Sequence, residues 1–154
     1  MASYFVDSSA LVKRYVNETG SAWLSGLVAP AAGNDIYIAR ITTVEVISAL
    51  MRRARGGTIA ATDARAACLL FKNDLLHDYE IVNMTETLLN HAMTLAETHG
   101  LRGYDAVQLA AACEVNAFYI VHGLPPLSVI SADSDLNSAV TAEGLLVNDP
   151  TAHP

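Results

Sequence analysis

Short apolar runs alternate along this chain with longer stretches in which apolar residues recur every three or four positions. The runs Tyr4-Phe5-Val6, Ile36-Tyr37-Ile38-Ala39, Glu80-Ile81-Val82-Asn83, Leu127-Ser128-Val129-Ile130 and Leu145-Leu146-Val147 predict strands. The first helix is expected to be capped by Ser8 or Ser9 and to carry Ala10, Leu11, Val12 and Tyr15. A second runs from Ser21 to about Ala31, with Trp23, Leu24, Leu27 and Val28 on its apolar face. Others run from Thr42 to the Gly56-Gly57 stop, from Thr58 to about Tyr79, from Thr85 to His99 before Gly100, from Gly103 onward, and from Asp133 to Thr141. Phe118 to Val121 fits either more helix or a short strand, and Pro125-Pro126 end that element in both cases. Uniformly apolar strands separated by helices predict an α/β protein whose mostly parallel central sheet is covered on both faces.

Length and composition narrow this further. The 154 residues fit one domain, residues 1–154, with no room for a second full-sized core. Hydrophobic residues make up 52% and charged residues 16%, which excludes intrinsic disorder. A mean hydropathy of +0.30 agrees with a buried layer and an apolar subunit interface. The uncharged run from Val115 to Ala132 contains Asn116, His122 and Pro125-Pro126, so no membrane span is expected. The start of the chain lacks the basic, apolar and small-residue regions of a signal peptide, and a non-exported, cytoplasmic protein is expected. Cys68 and Cys113, set among alanines and leucines, read as small buried hydrophobes in a reducing compartment. Nine Lys and Arg against sixteen Asp and Glu leave a net charge of −7, which counts against a nucleic-acid binder by default.

The chemistry lies in the carboxylates. Ligands of an open parallel sheet bind beyond the carboxyl ends of its strands. Asp7 follows the first strand, Asp133 follows the fourth, and Glu45 and Asp105 lie in the first turns of predicted helices. Each acid alone is explained by helix capping, Thr42-x-x-Glu45 being a capping box. Together at one rim they would repel by roughly 3 kcal/mol per pair at about 5 Å, and so call for a cation. Oxygen donors without a histidine or cysteine pattern favour Mg²⁺, with Mn²⁺ able to substitute, over zinc. His77, His91, His99, His122 and His153 have no metal spacing. A carboxylate-held Mg²⁺ activates water and steadies an oxyanion leaving group in phosphodiester hydrolysis, and its charge offsets the local negative field.

Four segments carry a family resemblance. Asp7-Ser-Ser-Ala-Leu-Val-Lys-Arg-Tyr, Thr43-Val44-Glu45-Val46, Tyr104-Asp105-Ala106-Val107-Gln108-Leu109-Ala110, and Ser131-Ala-Asp133-Ser-Asp135-Leu136 with Glu143-Gly144-Leu145 resemble, in order, the motifs of PIN-domain ribonucleases, especially the VapC-like toxins of type II toxin–antitoxin pairs. The resemblance covers essentially the whole chain. It implies a three-layer α/β/α sandwich, Mg²⁺-dependent endoribonuclease activity, a homodimer and inhibition by a small cognate antitoxin. By position it implies that Asp7 and Asp105 hold the metal, that Asp133 completes the site, and that Glu45 orients a water or occupies a second metal position. Ser8, Ser9 and Ser131 then either hydrogen-bond these carboxylates or cap helices. Asp135 is either a further participant or a helix-start acid.

Lys13 and Arg14 follow Asp7 by about two turns, and Arg52, Arg53 and Arg55 end the helix that begins near Glu45. These five cations either neutralise RNA phosphates or, for the arginines, complement a helix C-terminus. Tyr15 and Tyr104 are the aromatic residues placed to stack on bases, and core packing accounts for them equally. An apolar groove near Val12, Tyr15, Trp23, Leu24 and Leu27 is the expected antitoxin surface. Two other phosphate chemistries fit less well: a dehalogenase-type phosphatase needs an acid where Ser9 stands, and a receiver domain needs an acidic pair by the first strand. The non-enzymatic alternative is an inert PIN-like fold that binds a protein partner, with its acids serving only as caps.

Overall fold

A computed structural model describes all residues, 1–154. Five strands, β1 (Ser3–Val6), β2 (Asp35–Ala39), β3 (Glu80–Val82), β4 (Ser128–Ile130) and β5 (Leu146–Asn148), form one sheet in the order β3-β2-β1-β4-β5. Every pairing is parallel, with Phe5 opposite both Tyr37 and Val129, and Val6 opposite Ile130. The helices are α1 (Ser8–Leu11), α2 (Ser21–Val28), α3 (Thr42–Arg55), α4 (Ala61–His77), α5 (Glu86–His99), α6 (Gly103–Val121) and α7 (Ser134–Ala142).

Alternation along the strands divides the interior into two cores. Phe5, Ala39 and Val129 point to one side, where Leu88 and Leu95 of α5, Leu109 of α6 and Leu136 of α7 cover them. Val6, Ile36, Ile38 and Ile130 point to the other, against Leu11, Leu24, Val46, Leu50 and Phe71 from α1 to α4. The architecture is the expected three-layer α/β/α sandwich. The central strands β1, β2 and β4 are covered on both faces because each puts apolar side chains on both sides, while the edge strands β3 and β5 are partly exposed. No helix is long and apolar enough to cross a membrane.

Several local expectations are corrected. Asp7, not Ser8 or Ser9, is the N-cap of α1: its backbone is extended and its Oδ1 accepts the Ala10 amide at 3.1 Å. Helix α3 starts with Ile41 as cap, so Thr42 and Glu45 form no capping box. Gly57, at φ +78°, delays α4 to Ala61. Residues 118–121 continue α6, because Tyr119 is buried there with its hydroxyl 3.0 Å from both Ser3 Oγ and Tyr37 Oη. The two cysteines are free and half-buried.

The N-terminal helices offer no open apolar groove. Val12 and Leu24 are core, the Tyr15 hydroxyl donates to Asp74 at 2.7 Å, and Trp23 stacks on His153 with ring centroids 4.2 Å apart. The exposed large apolar side chains lie elsewhere, Leu69 and Leu76 on α4 and Phe118 and Val121 on α6 among them.

The C-terminal segment closes over the start of α2. Gly20 has φ +89°, and a Cβ there would stand 2.3 Å from the Pro150 carbonyl oxygen. Gly20→Ala should therefore cost about 2 kcal/mol or more, through left-handed strain and displacement of residues 150–153. Chemical denaturation should read this loss; wild-type stability in the variant would mean that the segment yields freely.

Candidate active site

The sheet order turns about β1 and β4, and the carboxyl ends of these neighbouring strands deliver Asp7 and Asp133 to the same rim. Helix α3 brings Glu45 and α6 brings Asp105. All four acids line one cleft of about 650 Å³. As the side chains stand, no three acidic, histidine or cysteine groups converge as a ready-made metal cage. The acids share a cleft, not yet a coordination shell.

Asp7 is the deepest, 2% exposed. Ser9 Oγ lies 2.8 and 3.0 Å from its two carboxylate oxygens and itself accepts the Ala132 amide at 3.0 Å. Ser131 is wholly buried, 3.5 Å from Ser9, and accepts the Asp133 amide at 3.1 Å. The two serines thus tie the end of β1 to the turn after β4. They are carboxylate and turn partners, not helix caps. Burial pushes the Asp7 carboxyl up to about 7; Ser9, the Ala10 amide and Ser131 oppose the rise and the charge of Glu45 adds to it.

Glu45 is held by a residue the motif reading did not single out. Gln108, 2% exposed, donates its amide to Glu45 Oε1 and to Thr42 Oγ1, both at 2.8 Å. It stands one turn after Asp105 on the same helix, and a polar residue on that apolar face was the available signal. Burial raises the Glu45 carboxyl, against Gln108 and Ser8, and Asp105 raises it further. Asp105 is raised by burial and by Asp133, more than Arg102 lowers it. Each acid therefore feels the next around the cleft.

Asp133 caps α7, its Oδ1 accepting the amides of Asp135 and Leu136 at 2.9 and 3.0 Å. Its Oδ2 accepts from Arg102 Nη2 at 3.0 Å, while Arg102 Nε donates to Asp105 Oδ2 at 3.1 Å. Asp135 lies apart, on an adjoining cleft of about 670 Å³.

Of the five nominated cations, Lys13, Arg52 and Arg53 line the acidic cleft. Arg14 does not: the chain passes from α1 into a 3₁₀ turn, Val12–Arg14, and Arg14 turns away, its Nε 4.0 Å from Asp74. Arg55, at the exposed end of α3, does not line it either. Glu18, which no motif marked, sits between two of the others, 3.3 Å from Lys13 and 3.4 Å from Arg53. Tyr104 lines the cleft mouth, 62% exposed. Tyr15 packs inward against Phe71.

The donor set is one of hard oxygens, and neither the buried Asp7 nor Glu45 has a cation partner. A carboxylate so buried, beside three more acids, fits a divalent ion such as Mg²⁺ or Mn²⁺.

A three-layer α/β/α protein with a parallel sheet and an acidic cleft at its carboxyl edge is the class these features define. The PIN domain family matches residues 4–140, and the chain belongs to that family as a VapC-like member. Ribonuclease VapC45 of Mycobacterium tuberculosis is 34% identical over 148 residues, 96% of this chain and 95% of the relative. Among solved structures, VapBC2 from Rickettsia felis, bound to a DNA fragment from its promoter, superposes with a TM-score of 0.63 at 14% identity, covering 96% of this chain and 98% of that one. VapC20 of Mycobacterium tuberculosis, described as a Sarcin-Ricin loop cleaving toxin, gives 0.60 at 18% identity, covering 88% of this chain and 94% of its own.

The raised Asp7 carboxyl has a definite consequence for folding. The folded state binds this proton more tightly than the unfolded state, whose carboxyl titrates near 4. Its contribution is therefore favourable at low pH, declines as pH rises from about 4 to 7, and stays lost above that range. In metal-free protein at pH 8, Asp7→Asn should raise stability, by up to about 4 kcal/mol, and flatten this part of the pH dependence. Thermal denaturation in EDTA checks it; a variant less stable than wild type at pH 8 would refute the reading.

Proposed function

We propose that this chain is a divalent-metal-dependent endoribonuclease, the toxin of a toxin–antitoxin pair. The observation that carries the reading is the confinement of Asp7, Glu45, Asp105 and Asp133 to one cleft with Lys13, Arg52 and Arg53 on its wall. The ribonuclease names of the relatives support it.

Asp7, Asp105 and Asp133 would hold the ion. When bound, Mg²⁺ supplies a Lewis acid that sharpens a water nucleophile and offsets charge on the leaving oxygen. Glu45 presents Oε2, the oxygen that Gln108 leaves unbonded, to take a proton from the attacking water, and its raised affinity for protons suits that task. Gln108 fixes the carboxylate's direction. Lys13, Arg52 and Arg53 neutralise backbone phosphates, and Tyr104 offers a face for a base. Their position, together with the charge of a bound ion, bears on the objection raised by the net charge of −7, since the acids of the cleft outnumber its cations.

A small antitoxin and a second copy of the chain are the proposed protein partners. The solved toxin–antitoxin relatives and the apolar side chains exposed on α4 and α6 support this reading.

Incubation with total RNA and Mg²⁺ tests the activity. Asp7→Asn should lower cleavage by about 100-fold or more, and EDTA should abolish it. Cleavage that persists in the variant would overturn the assignment, and absence of metal-dependent cleavage in wild type would leave the inert binding fold. Charge reversal of Arg52 and Arg53 together should weaken RNA binding and flatten its salt dependence by roughly two phosphate contacts. An unchanged salt slope would remove them from the RNA path.

A further inference from the structure

Of the cations around the cleft, Arg102 alone forms an ion pair with any of Asp7, Glu45, Asp105 and Asp133. It occupies the N-cap position of α6, where the helix dipole disfavours positive charge, and its side chain makes no cap bond. The side chain is 76% exposed, so packing does not fix it either. What holds it is the pair of bonds to Asp105 Oδ2 and Asp133 Oδ2, which together span α6 and the turn after β4. Exposed pairs of this kind are individually weak and readily exchanged.

Of the two oxygens that Arg102 occupies, Asp133 Oδ2 is one an ion would need. Asp133 Oδ1 is committed to two backbone amides of α7, leaving Oδ2 as its free donor. Asp105 Oδ2 takes the other arm of the same fork. A divalent cation bound by Asp105 and Asp133 therefore competes for the seat of the guanidinium, and like charge opposes their coexistence there. The absence of a converged ligand cage agrees with two of the four acids being turned to this arginine.

We propose that Arg102 is a built-in counter-ion of the metal site. It pairs Asp105 with Asp133 while no divalent ion is bound, and leaves them as the ion enters. Arg102 is thus a positioning residue that lowers metal affinity and keeps the two carboxylates in register. The proposal rests on the metal-dependent reading above. Coupling is reciprocal: whatever draws the fork away from the acids strengthens ion binding, and whatever returns it weakens ion binding.

The experiment is titration of the metal-free full-length chain with Mn²⁺, followed by electron paramagnetic resonance of the free ion. Arg102→Gln removes the competitor and should tighten Mn²⁺ binding by about 5- to 20-fold. Arg102→Lys separates the fork from its charge. Lysine keeps the positive charge but cannot span both carboxylates, so it too should tighten binding, by about 3-fold. A lysine variant equal to wild type would reduce the effect to long-range charge and overturn the counter-ion role. A glutamine variant that binds Mn²⁺ no better than wild type would overturn it outright. If neither wild type nor either variant binds Mn²⁺, the metal-dependent reading itself fails.

Discussion

The burial of one carboxylate organises this molecule. Asp7 lies where β1 ends beside β4, with almost no solvent to stabilise its charge. Its partners are neutral donors: the single hydroxyl of Ser9, within reach of both oxygens, and one backbone amide. Neutral donors orient a charge well but do not cancel it. The local fold therefore keeps an ionisable group whose charge it does not balance, a common way for a protein to hold binding energy in reserve at a functional site.

The surroundings of Asp7 serve that arrangement. Ser9 and Ser131 fasten the ends of β1 and β4 to each other, so two acids from distant parts of the chain reach one rim with little freedom between them. Gln108 does the same for Glu45 from the opposite wall. The basic side is organised as well. Glu18 bridges Lys13 and Arg53, fixing the positions of both side chains at the cleft wall. Neutral donors tie the carboxylates from beneath, and an acid braces the cations.

The strands, the layer order and the four acids were legible in the sequence because each depends on local pattern: apolar runs, helix starts, and polar residues at the junctions between them. What resisted reading depends on partners brought together by folding. Arg14 and Lys13 are adjacent, yet the 3₁₀ turn after α1 sends one to Asp74 and the other to the cleft. Arg102 looks like an ordinary loop cation until Asp133 arrives from another part of the chain. The apolar residues of α1 and α2 suggested an open groove, but the sheet face and the C-terminal segment cover them. The end of α6 was ambiguous because Tyr119 suits either conformation, and only its contacts with Ser3 and Tyr37 decide.

Trp23 is the only tryptophan in the chain, and its ring lies nearly parallel to that of His153, the planes 6° apart. An intrinsic fluorophore is thereby set at the joint between α2 and the last residues, away from the acidic cleft. Its emission will follow the docking of that terminal segment, since undocking removes the stacked ring and changes the surroundings of the indole. The molecule carries its own optical gauge of tail attachment, which needs no label.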